Sequence, residues 1–136
     1  MICAVHAAIG AAVGRLAGRK DTGFAAGVAT HLLGDLVPHK DFDPKTEAPL
    51  LAATLALIAW RRGINSPEFW GAVGGITPDF ENAAYVTGLL PKERLVFPTH
   101  VGGGTYHAPK VASAWPQGVL AAVCLLYALS DRHRRV

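Results

Sequence analysis

Apolar residues gather into five runs separated by short charged or proline-containing stretches, and almost none of the chain alternates with the two-residue period of a strand. The runs predict helices over about residues 2–17, 24–36, 48–60 and 115–129, with a fourth opening at Ser66. Pro38 bars continuation of the second. Pro49 suits the first turn of the third. In "SPEFW", Ser66 is a candidate N-cap, Pro67 fits the first helical position and Glu68 the positive helix end. Pro78 is expected to break this fourth helix, with a short one following over about residues 80–87. The pattern therefore predicts an all-α fold, a compact bundle of about five short helices in a single domain over 1–136.

Composition moves the bundle towards a membrane. Charged residues make up 17% of the 136 positions and hydrophobic ones 51%, against roughly 25% charged in an ordinary soluble domain. Mean hydropathy is +0.27, and fifteen glycines suit close helix approach. The first three runs have charge-free cores of about 20 Å, short of the roughly 30 Å hydrocarbon core. Only the last, uncharged from residue 111 to 130, is long enough to span. "RLAGRK", "RRG" and "DRHRRV" end the first, third and fifth runs. In an up-down bundle these fall on one side, which the positive-inside rule makes cytoplasmic. The expected location is the inner membrane.

That topology places the chemically capable side chains together. His6, His31, Asp35, His39, Asp79 and His100 all fall at the opposite, non-cytoplasmic end. His31 and Asp35 are four apart, about 40° around a helix and one turn along it, so they share a face. An imidazole and a carboxylate at that spacing can hold a divalent ion, and zinc is the natural choice for N/O donors. A carboxylate between Leu33 and Leu36 needs a partner or a metal. Asp41 and Asp43, before Pro44, are expected to be solvated turn residues.

Other chemistries find little support. Cys3 and Cys124 lie far apart and in no CxxC pattern, so they are expected as buried free thiols. "VGGGTYH" lacks the phosphate-loop pattern, and there is no GxSxG elbow or HExxH. A net charge of +3, spread over short clusters, gives no nucleic-acid footprint. The first residues lack the basic start and cleavage site of a signal peptide.

"VHAAIGAAVG", "GVATHLLGDLVPHKDFD", "GAVGGITPDFEN" and "FPTH" together resemble the small bacterial inner-membrane proteins called membrane-bound metal-dependent hydrolases. That family is loosely similar to zinc-dependent phospholipase C and S1/P1 nuclease. The likeness spans about two thirds of the chain, and "HLLGDLVPH" is its most specific element. The "PD" turn departs from the family pattern in lacking a second aspartate and histidine. The resemblance implies hydrolysis of a phosphoester, a small molecule or a membrane lipid, by a metal-activated water. The implied ligands are His6, His31, Asp35, His39, Asp79 and His100, with Glu81 as general base. The alternative is a non-enzymatic integral membrane protein whose His/Asp network, or structural metal, ties helix ends together.

Overall fold

The computed structural model describes residues 1–97 and 108–131. Five α-helices carry them: α1 (Cys3–Ala17), α2 (Lys20–Gly34), α3 (Pro44–Arg62), α4 (Pro67–Val86) and α5 (Trp115–Leu129). A single 3₁₀ turn (Lys92–Arg94) follows α4, and no strand occurs among the described residues. The all-α reading holds.

Sequence-level chemistry explains most helix ends. The Ser66 hydroxyl accepts the Phe69 N–H at 3.0 Å, with Pro67 beside it. Asp43 caps α3, accepting from the N–H groups of Lys45 and Thr46, so α3 starts one turn earlier than expected. Gly18 closes α1 with φ +70°.

Two expectations are corrected. The fourth helix does not break at Pro78 but runs through it to Val86. The proline is fully buried where α4 packs on α1 and α2, and that packing outweighs the roughly 3 kcal/mol that an interior proline costs. The fifth helix covers Trp115–Leu129 as expected, but at about 22 Å it is not the membrane span that the uncharged run suggested. Among the described residues no helix is long and apolar enough to cross a membrane.

Glycine determines how the helices meet. A Cβ on Gly10 or Gly27 would strike the Gly71 carbonyl, one on Gly14 the Pro67 carbonyl, and one on Gly74 the Phe24 carbonyl. Thus α1, α2 and α4 touch backbone to backbone, with α1 antiparallel to the other two. The buried clusters are correspondingly small: Ala7, Ala11, Ala72 and Ala128 with Ile58 and Ile76 in one, and Met1, Ile2 and Val5 in another. Many larger apolar side chains lie outside these clusters, among them Trp115, Val123 and Leu126 on α5.

Polar ties secure the outer elements. The Arg15 guanidinium donates to the carbonyls of Tyr127, Ala128 and Ser130 at 2.6–3.1 Å, closing the C-terminal end of α5 onto α1. Arg62 donates twice to the buried Glu68 carboxylate, joining α3 to α4. Gln117 accepts from the Ile2 N–H and donates to the Lys40 carbonyl.

Candidate metal centre

The antiparallel packing carries the start of α1, the end of α2 and the middle of α4 to one end of the bundle. There His6, His31 and Asp35 are fully buried. The His6 and His31 rings stack with centroids 3.8 Å apart. His6 Nε2 lies 3.1 Å from Asp35 Oδ1, and His31 Nε2 lies 3.2 Å from Asp35 Oδ2 and 3.8 Å from Asp79 Oδ1. One donor atom from each of His6, His31 and Asp79 lies within 4.8 Å of the others.

The tautomers follow from the partners. His31 Nδ1 is 2.7 Å from the Gly75 carbonyl, which can only accept, so that nitrogen carries the hydrogen. In the neutral ring, Nε2 then presents its lone pair to the Asp35 carboxylate. Two acceptors at 3.2 Å repel unless a proton or a cation lies with them. His39 repeats the pattern: its Nδ1–H donates to the Val37 carbonyl at 2.7 Å, and its Nε2 faces Asp41 Oδ1 at 3.3 Å. A ligating histidine is commonly held this way, by its other ring N–H on a backbone carbonyl.

His6 has no arrangement that satisfies both ring nitrogens among the described residues, because its Nδ1 is buried there without a hydrogen-bond partner. Burial pushes its pKa down to about 4, although the Asp35 carboxylate pulls the other way. The ring is therefore neutral and competent to donate a lone pair. Burial raises the Asp35 pKa. The His31 and His6 imidazoles that face it and the charge of the Met1 amine outweigh it, holding Asp35 well below the carboxylate range.

Glycines shape the site as well as the seam. A Cβ on Gly34, the glycine between His31 and Asp35, would press on the His6 ring at 3.2 Å. Gly75 supplies the His31 acceptor, and a Cβ there would strike the His6 carbonyl. Neither glycine was among the expected site residues.

The remaining expected residues fall in different places. His39 lies beside Asp41 rather than in the His6–His31–Asp79 group. Asp41, expected as a solvated turn residue, instead meets His39 Nε2, the Met1 amine at 3.3 Å and Lys110 Nζ at 3.1 Å. Asp43 is exposed and serves as the α3 cap. Glu81 accepts the Val96 N–H at 2.6 Å and the Phe97 N–H at 2.8 Å, one on each oxygen. Cys3 is half-buried. Burial, aided by the charge of Asp79 and the Glu47 contact at 2.9 Å, pushes its thiol far up. His100 lies outside the described residues. The chain on either side is pinned here, by Glu81 on one flank and, on the other, by Ala108 N–H on the Asp35 carbonyl and Val111 N–H on the His39 carbonyl.

No protein-family model, curated protein or solved structure matches the chain.

Proposed function

We propose that this cluster is a divalent-metal site, best suited to zinc, and that the chain is a metal-dependent hydrolase of phosphoesters, as its motifs resemble. His31 carries the reading. With its Nδ1–H committed to Gly75, its Nε2 is aimed at two carboxylates, an arrangement that a cation relieves when the ring is neutral. His6, His31 and Asp79 would hold the ion, and Asp35 and the Gly75 carbonyl would orient the imidazoles. An ion bound there lowers the pKa of a water and polarises a phosphoryl oxygen. The net reaction adds water across a P–O ester bond, the oxygen to phosphorus and the proton to the departing alcohol.

The chain's own residues divide the remaining work. Asp35 holds the His6 ring and the Gly75 carbonyl the His31 ring. Asp79, partly exposed, forms the open side. Glu81 was expected to be a general base; its two backbone hydrogen bonds support a positioning role for the segment that leads to His100. The non-enzymatic alternative rests on the same Asp35 carboxylate, which already ties α1 to α2.

The test is metal analysis of the purified protein beside His31→Gln and Asp79→Asn, followed by phosphodiester turnover with and without chelator. Equal metal in all three proteins rejects the site. Metal without turnover leaves the structural alternative.

We also propose that the bundle associates with the inner membrane, its site facing the non-cytoplasmic side. Trp115 is 70% exposed, Val123 58% and Leu126 73%, an apolar face on α5 that suits lipid. Arg15, Arg19, Lys20, Arg61 and Arg62 lie at the helix ends away from the cluster. Recovery of the protein in the soluble fraction of gently lysed cells, without carbonate, high salt or detergent, would contradict this.

A further inference from the structure

Beside the histidine cluster lies a groove of about 760 Å³ between α3 and α4, well within the range that takes a small organic ligand. Asp79 belongs to both: it is one of the candidate metal ligands and part of the groove wall. From there the wall is mostly apolar. On α4, Ile76, Phe80, Ala83 and Val86 recur every three or four residues, so they form one stripe. From Ile76 to Val86 that stripe is about 15 Å long. Ala48 and Leu51 on α3 face it.

Apart from Asn82 on α4 and Thr87 at its C-cap, the polar groups in this wall lie towards its Asp79 end, and several are already engaged. Glu47 accepts from the Phe42 N–H and from Cys3, and Asp41 is paired with Lys110 and His39. A wholly polar substrate would meet the stripe with little to bind. A hydrocarbon chain would be removed from water along its length. Phe80 and Val86 are 57% and 74% exposed as they stand, and such a chain would cover them.

Resting on the hydrolase reading, we infer that the groove seats the hydrocarbon tail of the substrate. The esters cleaved at the cluster are then those of single-tailed amphiphiles, with the phosphate-ester head at Asp79 and the tail running towards Val86.

The test uses zinc-loaded protein and a long-chain alkyl phosphate with a photoreactive diazirine at the tail end, the adducts being mapped by peptide mass spectrometry. Labelling is expected on α4 around Ala83–Val86, at least about tenfold above a two-carbon analogue. Unlabelled long-chain alkyl phosphate should compete it away. Ala83→Trp fills the groove from an exposed position and should reduce labelling to the short-chain level with zinc content unchanged. Ala48→Trp makes the same test from α3 should Ala83→Trp fail to fold. Adducts spread along the exposed face of α5, or groove labelling that survives a folded tryptophan variant, would overturn the inference. A wild-type protein that takes up no zinc would reject the hydrolase reading instead, a result read from the metal assay and separate from the labelling map.

Discussion

The three central side chains behave as one electrostatic unit, with Asp35 facing both imidazoles. Asp35→Asn removes the charge that the buried Met1 amine faces at 3.1 Å, and loss of one partner from a buried pair costs on the order of 3–5 kcal/mol. Denaturant unfolding of the variant should show a loss of that size. The His6 pKa gives a second expectation for protein stripped of metal. The folded ring is pushed down to about 4 from an ordinary 6.5, so between those values the unfolded chain binds a proton that the folded chain refuses. Stability is then complete above about pH 6.5, declines as the pH falls and levels off near pH 4. The loss amounts to roughly 3 kcal/mol over that window. His6→Gln should flatten this slope, and unfolding curves at pH 7 and pH 5 would reveal a failure to do so.

At the scale of the helices, most of the energetic interest lies in glycines. Gly71→Ala drives a methyl into the Gly10 carbonyl and should cost at least about 1–3 kcal/mol, read as a fall in the unfolding midpoint. Gly118→Ala on α5 meets nothing within 4 Å and should stabilise by up to about 1 kcal/mol. The two substitutions are chemically identical, and opposite signs are the expected outcome. The periods of three and four located the helices, and the start of α5 at Trp115 could be read directly. Pro78 could not: local rules end a helix there, and only the packing of α4 on two neighbours keeps it intact. The glycine contacts were visible as pairs four residues apart (Gly10 and Gly14, Gly23 and Gly27, Gly71 and Gly75), yet composition alone does not say which helices those pairs join.

For the molecule as a whole, the alternation of helix directions was enough to bring His6, His31, Asp35 and Asp79 to one end, and it could be counted from the sequence. Asp41 was misjudged because its partners come from elsewhere. The segment over 108–111 runs beside residues 35–39, with one isolated bridge between His39 and Lys110, and no local pattern announces such a pairing. Ion binding at this end should couple to global stability. At a zinc concentration a hundredfold above its dissociation constant, the gain is about 2.7 kcal/mol. Thermal unfolding should therefore shift downward on chelation and recover on adding zinc. A midpoint indifferent to both would mean that no ion binds the folded state.

The glycine seam also sets how finely the donor atoms can be adjusted. In an ordinary bundle, larger or smaller core side chains slide the helices apart or together, and a site between them drifts accordingly. Here α1, α2 and α4 rest on one another's main chains, which no substitution can trim. The spacing of His6, His31 and Asp79 is in that sense machined rather than padded. Changes among the alanines and leucines around the seam can loosen the bundle, but they cannot bring its candidate ligands any closer.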